Sequence, residues 1–203
     1  MYDSDLYPTE ARLADEFVAG QRHGTLIATP PDGFPQCSIL PFVRTDNHIE
    51  LHCVQADPTF AALQANPRAT FLVSDFLAFT RHDWVDPENA ARGTLNFRAV
   101  IFECSAELST DPNHVAAALA RLLAAYEPDA TSYRPIQNDD FYGPRLKRLA
   151  AVRLTIERMQ AKFKVGPASP VETKRRVIRR LRERGEPNDA RAADVIESYL
   201  PPA

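Results

Sequence analysis

The chain has 203 residues, of which 44% are hydrophobic, enough for one globular domain with a full core, and this composition excludes a disordered or fibrous protein. Its formal net charge of −3 argues against general affinity for polyanions, although a local basic patch stays possible. No stretch is long and apolar enough to span a membrane, and the N-terminus begins with acidic residues, so we expect a cytoplasmic protein.

The first half of the sequence predicts one helix followed by short strands. The helix is expected over residues 10–19, because Leu13, Phe17 and Val18 recur at helical spacing. Turn-forming residues at 31–33 and 46–47 separate the first three strands and favour an antiparallel meander, and hence a small barrel. The strands are predicted over residues 25–29, 38–43, 49–53, 69–73 and 94–108.

A histidine closes the third of these strands. Alternation places Ile49, Leu51 and Cys53 on one face and His52 on the other, away from the core. A short helix follows, with Asp57 at its N-cap and a stop at Asn66-Pro67 (residues 66–67). Since a helix N-terminus attracts anions, a phosphate could be held beside His52, whereas the simpler interpretation is a solvated histidine.

The second half of the sequence predicts three more helices and one long strand. Helices are expected over residues 112–126, 171–184 and 188–200, the first with Asp111 at its N-cap and the second ending before Gly185. The strand over 152–165 changes the phase of its apolar alternation, which indicates a β-bulge near Glu157-Arg158 (residues 157–158).

Two polar strand faces carry candidate ligand-binding residues. After the bulge, Gln160, Lys162 and Lys164 share one face, and two lysines rooted roughly 7 Å apart can clamp a phosphate. The alternative is a solvated β face. Thr94, Asn96 and Arg98 form a second polar face on the preceding strand, and Leu95, Phe97 and Ala99 are expected to pack inside. Asn96 could bond either a heterocycle edge or solvent.

Three cysteines, Cys37, Cys53 and Cys104, are odd in number and widely spaced, and no C-x-x-C pair occurs. We therefore expect buried thiols and no metal site.

Five segments, in order, resemble the PaiB-like FMN-binding negative transcriptional regulators, a family with the FMN-binding split β-barrel fold. The most specific is H-C-V-Q-A-D-P-T-F at residues 52–60. The others are D-G-F-P…L-P-F at 32–42, T-L-N-F-R-A-V at 94–100, Y-E at 126–127 and K-F-K-V at 162–165, after an opening Met1-Tyr2 (residues 1–2) and a helix. The resemblance implies an α+β split barrel, antiparallel and Greek-key-like, with peripheral helices. The barrel domain would cover residues 1–168, and a helical extension over 169–203 would pack on it.

The resemblance also implies a cofactor and a site. FMN would be bound by a homodimer, with Lys162 and Lys164 on the phosphate and Thr94, Asn96 and Gln160 on ribityl or ring atoms. His52 would border the flavin. Haem or a deazaflavin are the alternative ligands, since some split barrels bind them.

Three functions stay open on the sequence. The first is a flavin-linked negative transcriptional regulator, for which the only concentrated basic element is the helix over 171–184. The second is a flavin-dependent oxidoreductase or flavin reductase acting on a small molecule, in which no catalytic residue is singled out. The third is a degenerate barrel without flavin, because residues 75–84 and 166–168 depart from the family pattern.

Overall fold

The structure, a computed structural model, describes residues 9–45, 47–166 and 168–201. These residues combine one antiparallel sheet with helices, which confirms the predicted α+β class. The strands are β1 (Gly24–Ala28), β2 (Gln36–Leu40), β3 (Val43–Arg44), β4 (His48–Val54), β5 (Arg68–Thr80), β6 (Thr94–Ser109) and β7 (Leu149–Lys164). The helices are α1 (Ala11–Ala19), α2 (Pro58–Ala65), α3 (Pro112–Tyr126), α4 (Gly143–Leu146), α5 (Val171–Arg184) and α6 (Asp189–Ser198).

The strands follow the order β2-β1-β5-β6-β7-β4-β3 in the sheet. β1 pairs antiparallel with β2 and β5, and β4 pairs antiparallel with β3 and β7. The predicted meander is therefore confirmed at β1–β2 and at β3–β4, although Asp46 in the second turn lies outside the described residues. Within the described chain the hydrogen-bonded order ends at β2 and β3, so the sheet is not closed and barrel closure stays a prediction.

Two predicted strands differ from the observed ones. The single strand expected over 38–43 is split between β2 and β3, because Pro41 has no N–H to donate to a ladder. The strand expected over 69–73 continues to Thr80. Asp75 lies in the middle of β5, and Arg98 and Arg191 donate to its carboxylate, so its negative charge is compensated within the strand.

Helix boundaries follow the predicted caps closely. Asp57 and Asp111 each accept a backbone N–H at the start of α2 and α3, and both helices have proline in their first turn. α5 ends at Gly185, whose φ of 66° is the left-handed conformation that favours glycine. α4 and two 3₁₀ turns at His82–Trp84 and Ala90–Arg92 were not expected from the sequence.

Burial confirms the phase change in β7. Val152 and Leu154 are buried near its start, whereas Phe163 is buried near its end and is followed by buried Val165. The buried positions thus switch from even to odd numbers across the segment where the bulge was predicted.

The chain divides into two compact units. The described part of the first unit covers residues 9–14, 74–100, 161–166 and 168–201, and the second unit covers 15–45, 47–73 and 101–160. The proposed boundary between residues 168 and 169 stays a prediction. In the second unit the core forms around Leu26, Ile49, Leu51 and Phe71. Gly24 lies against the Phe71 ring, where a Cβ would come within 2.4 Å of Cζ.

Candidate functional site

His52 lies on β4 opposite Ala151 of β7, in the second unit. Ile49, Leu51 and Cys53 are buried and His52 is only partly buried, which confirms the predicted alternation. Burial lowers the pKa of His52, so the imidazole is neutral near pH 7 and can both donate and accept a hydrogen bond. It is suited to a heterocycle edge or a carbonyl rather than to charge pairing with a phosphate.

The N-terminus of α2 is filled by its own cap. The Asp57 carboxylate accepts from the backbone N–H of Thr59 at 2.9 Å, from the Thr59 hydroxyl at 2.7 Å and from the Ser38 hydroxyl. Burial on its own raises the pKa of Asp57, but these hydrogen bonds lower it overall, so the carboxylate is ionised at neutral pH. A second anion at this terminus would meet that negative charge, which makes the lysines of β7 the better phosphate candidates.

Lys162 and Lys164 lie at the end of β7 in the first unit and flank Phe163, which is 5% exposed. Both lysines are partly exposed, so they share the face opposite the buried phenylalanine. The Phe163 backbone N–H donates to the Thr9 hydroxyl at 3.0 Å, which fixes this part of the strand. Gln160, two residues before Lys162, is partly exposed and belongs to the second unit.

Asn96 does not project outward as predicted. Its side chain is fully buried, whereas Leu95, expected to pack inside, is 43% exposed. The Asn96 amide donates to the Ala78 carbonyl at 3.0 Å and the Thr80 hydroxyl at 2.8 Å, and its oxygen accepts from Gly166 N at 2.9 Å. The polar character of Asn96 was not enough to predict an outward position, because a buried amide whose hydrogen bonds are all made is as stable as a solvated one.

Through Asn96, the start of β6 lies beside the end of β7. The hydrogen bond from Gly166 N to Asn96 joins the chain just beyond Lys164 to the strand that begins at Thr94. Arg92 adds a second link, since its guanidinium donates to the Ser169 hydroxyl at 2.6 Å and the Ala168 carbonyl at 3.1 Å. Thr94 is partly exposed, so its hydroxyl stands at the same strand end as Lys164. Pro167 lies outside the described residues.

Arginines of α5 donate hydrogen bonds to backbone carbonyls within residues 75–85. The sequence did not predict these contacts, which we call the arginine clamps. Arg176 donates to the carbonyls of Trp84 at 2.7 Å and Val85 at 3.0 Å. Arg184 donates to the Phe79 carbonyl at 3.2 Å and stacks over the Trp84 ring. The signal in the sequence is the arginine-rich helix α5 itself, whose charges predict a nucleic-acid-binding face. Its helical spacing also permits internal acceptors, and the structure supplies them.

Most of the basic face of α5 is thus engaged within the first unit. Besides Arg176, four arginines contact carboxylates of α5, α6 or the turn between them; these are Arg179 and Arg180 with Glu183, Arg182 with Asp194 and Glu197, and Arg184 with Asp189 and Glu186. Such pairing lowers the charge available to a phosphate backbone.

Cys53 and Cys104 are buried, whereas Cys37 is exposed, so the expectation of three buried thiols is wrong for Cys37. Cys37 lies on β2, an edge strand with no fully buried residue. Burial, with a contribution from Asp57, raises the pKa of Cys53 to about 11, and burial near Glu157 and Glu103 raises that of Cys104 to about 12. Neither buried thiol is a reactive thiolate at neutral pH. Among the described residues, no group of His, Cys, Asp and Glu is placed to hold a metal ion.

The predicted residues of each unit have chemistry that suits part of a flavin. In the first unit Lys162 and Lys164 have cationic groups and Thr94 has a hydroxyl, and in the second unit Gln160 has an amide and His52 a neutral imidazole. Asn96 does not fit, because its side chain is fully buried and its amide is bonded to Ala78, Thr80 and Gly166. The described residues form four surface cavities, and none of the six predicted residues lines any of these four. No described helix is long and apolar enough to cross a membrane.

Comparison with known proteins places this geometry in context. The family model described as "Putative FMN-binding domain" matches residues 1–158. No curated protein sequence matches the chain.

Solved structures share the fold at low identity. The flavocytochrome Anf3 from Azotobacter vinelandii matches with a TM-score of 0.62 and 19% identity, over 84% of this chain and 79% of that one. The FAD and haem binding protein from Mycobacterium smegmatis gives 0.60 and 17%, over 83% and 78%. Hypothetical protein Rv2991 from Mycobacterium tuberculosis gives 0.57 and 20%, over 81% and 91%. At these identities the likeness shows the fold alone.

Proposed function

We propose, because the chain belongs to the FMN-binding domain family matched over residues 1–158, that it is an FMN-binding protein whose phosphate subsite is formed by Lys162 and Lys164. The observation that carries the subsite is the alternation at the end of β7, where buried Phe163 turns both lysines to the opposite face. Side chains two residues apart on a strand are about 7 Å apart, a span that two ammonium groups can close around one phosphate.

The other predicted residues have separate tasks in this proposal. The Thr94 hydroxyl donates to phosphate or ribityl oxygens at the strand end shared with Lys164. Gln160 and His52 belong to the second unit, and their roles at ribityl or ring atoms stay predictions. Asn96 is withdrawn from the ligand set and assigned to fixing the loop at Gly166. When bound, FMN supplies one- and two-electron redox chemistry, and the protein supplies binding and orientation.

We extend the proposal to a homodimer. In the second unit Phe34 is 86% exposed and Ile39 72% exposed, and in the first unit Phe76 is 51% exposed and Phe79 49%. Large apolar side chains at such exposure are typical of surfaces that become covered on association. β2, which carries Ile39, is an edge strand and offers unpaired backbone groups to a second copy.

The regulatory role implied by the resemblance stays a prediction. Its weak point is nucleic-acid contact, because the arginines of α5 contact acceptors of their own unit. The second candidate, a flavin-dependent oxidoreductase, requires only the bound flavin and a substrate that reaches it. The engaged arginines of α5 therefore favour a redox role over a DNA-binding one.

The test is FMN titration of the purified protein, followed by quenching of flavin fluorescence. We expect saturable, stoichiometric binding, weakened about tenfold or more by Lys162→Ala combined with Lys164→Ala, because each charge-assisted hydrogen bond contributes about 1.5–3 kcal/mol. The matched control is Lys147→Ala with Arg148→Ala, which removes two positive charges from exposed positions of the second unit. Equal weakening in both double variants would contradict the phosphate subsite, and no quenching at high micromolar FMN would contradict flavin binding.

The same preparation separates the alternatives. A haem Soret band or a deazaflavin spectrum in the protein as isolated would identify those ligands instead. Consumption of reduced nicotinamide by the FMN-loaded protein supports the oxidoreductase, and salt-sensitive DNA binding supports the regulator. Sedimentation equilibrium of the loaded protein tests the dimer, since a monomeric mass would contradict it.

A further inference from the structure

A cavity in the second unit is lined by none of the residues assigned to FMN. It has a volume of about 560 Å³ and is formed by the end of α1, by β3 with its flanking residues and by the last turn of α3. This volume falls within the range of about 300–1,000 Å³ that is usual for small-molecule sites. The cavity therefore has room for a ligand of its own.

The described residues that line the cavity carry two positive charges and one negative charge. Its charged lining residues are Asp15, Arg22 and Arg44. Arg44 Nη1 is 2.7 Å from Asp15 Oδ1, so these two charges offset each other. Arg22 donates only to the Ala125 carbonyl, at 3.3 Å, and has no carboxylate partner among the described residues. A ligand with one negative charge would complete the pairing.

Aromatic rings hold both guanidinium groups in place. The Arg22 Cζ lies 5.3 Å from the centre of the Tyr126 ring, and the Arg44 Cζ lies 5.1 Å from that of Phe102. Arg44 Nε is buried and has no hydrogen-bond partner, so one donor of this group is left unsatisfied. Stacked guanidinium groups offer their edges to a planar anion, and less side-chain entropy is lost when they bind it.

The Tyr126 hydroxyl fixes the walls around the two arginines. It donates to the carbonyl of Arg22 and accepts from the Phe42 backbone N–H at 3.0 Å, which connects the end of α3 to the segments on either side. The remaining wall is apolar, with Val18, Phe42 and Val43 beside the Tyr126 ring. An apolar wall next to guanidinium edges suits a flat organic acid better than a fully hydrated inorganic anion.

We propose that this cavity binds a small organic monocarboxylate with a flat apolar body. The carboxylate pairs with the exposed guanidinium of Arg22, and the apolar body lies against Phe42, Val43 and Tyr126. The site does not depend on the lysines of β7, so occupancy by FMN is not required.

Calorimetric titration with benzoate tests the site, with benzamide and inorganic phosphate as matched probes. We expect saturable binding of benzoate and at least tenfold weaker binding of both other ligands, because benzamide lacks the charge and phosphate lacks the apolar body. If benzamide bound as tightly as benzoate, the site would not recognise the negative charge. If phosphate bound as tightly as benzoate, the apolar wall would not contribute to binding. Either result, or no binding of benzoate, overturns the proposal.

Four variants locate the binding. Arg22→Gln changes an exposed side chain, so the fold should survive, and we expect it to weaken benzoate about tenfold or more. Asp15→Asn should tighten the binding of benzoate, because it removes the carboxylate that pairs with Arg44. Arg121→Gln, which removes an arginine paired with Glu50 outside this cavity, should leave binding unchanged.

The Lys162→Ala, Lys164→Ala double variant should bind benzoate normally, which separates this site from the FMN proposal. Loss of binding in Arg121→Gln, or none in Arg22→Gln, contradicts the assignment.

Discussion

Asn96 links three segments of the first unit through one buried side-chain amide. Its NH₂ group donates to Ala78 and Thr80 of β5, and its oxygen accepts from Gly166 after β7. Every polar atom of the side chain is therefore satisfied inside the protein, in a place where water cannot substitute for a lost partner. The energetic consequence of removing it is correspondingly large.

We expect Asn96→Ala to lower the free energy of unfolding by about 3 kcal/mol, because it leaves the Thr80 hydroxyl and the Gly166 N–H buried without a partner. Urea unfolding measures this loss. Asn66→Ala is the matched control: its amide donates to the Thr29 carbonyl at an exposed site, and we expect a loss of about 1 kcal/mol or less. If Asn96→Ala instead left stability intact and weakened FMN alone, the residue would belong to the cofactor site.

For single residues, the sequence predicts the face of a strand well where apolar side chains occupy one face and polar side chains the other. His52 is on the expected side of β4 because Ile49, Leu51 and Cys53 leave no doubt about the core side. Around Asn96 the same reasoning failed, since the partners that satisfy its amide are distant in sequence and no local pattern shows them. Exposed Cys37 was missed for a related reason: nothing in its neighbours marks β2 as an edge strand.

Among the elements, the α5–α6 pair depends on one buried ion pair. Arg184 pairs with Asp189, whose side chain is 1% exposed, and Asp189 also accepts from the Glu186 backbone N–H at 2.9 Å. Apolar packing by Val177, Ile178 and Leu181 completes α5. Breaking one member of such a pair leaves an uncompensated buried charge, which costs far more than loss of a surface pair.

Asp189→Asn should therefore lower the free energy of unfolding by about 3 kcal/mol at neutral pH. The hydrogen bond from Arg184 lowers the pKa of Asp189 below its ordinary 3.8, against the opposing effect of burial. A lowered folded-state pKa gives stability that is fully present above the ordinary pKa and is lost as the pH falls through the lowered one. The difference between wild type and Asp189→Asn should thus shrink below about pH 4.

Urea unfolding over a pH series provides the measurement. Asp194→Asn, which removes an exposed partner of Arg182, is the control and should cost about 1 kcal/mol or less. A difference between wild type and Asp189→Asn that stayed constant through the acid range would show that this carboxylate is not the titrating group.

Element boundaries were more predictable than element partners. The N-caps Asp57 and Asp111, followed by proline, fixed the starts of α2 and α3 from local chemistry alone. The extension of β5 to Thr80 was not predictable in this way, because Asp75 fits a strand interior only when Arg98 and Arg191, which are distant in sequence, neutralise it.

For the whole molecule, the limits of the family match and of the folded units do not coincide. The family model ends at residue 158, and the resemblance predicted an extension beginning at 169. The first unit nevertheless includes residues 74–100 together with 161–166 and 168–201. Arg176 and Arg184 bind backbone carbonyls of Trp84, Val85 and Phe79, so the segment that departs most from the family pattern is held by residues that the family model does not cover.

This arrangement predicts that the chain does not tolerate loss of its last two helices. Deletion of residues 169–203 removes the arginine clamps and the buried face of Val177, Ile178 and Leu181, so we expect insoluble protein or a chain without a cooperative thermal transition. Limited proteolysis of any soluble product should cut within residues 75–85, since those carbonyls lose their donors. Leu181→Ala in the full chain is the milder test, with an expected loss of about 2–5 kcal/mol for a fully buried leucine. A truncated protein with the full-length melting temperature would show instead that 169–203 is an independent extension and that the first 168 residues fold alone.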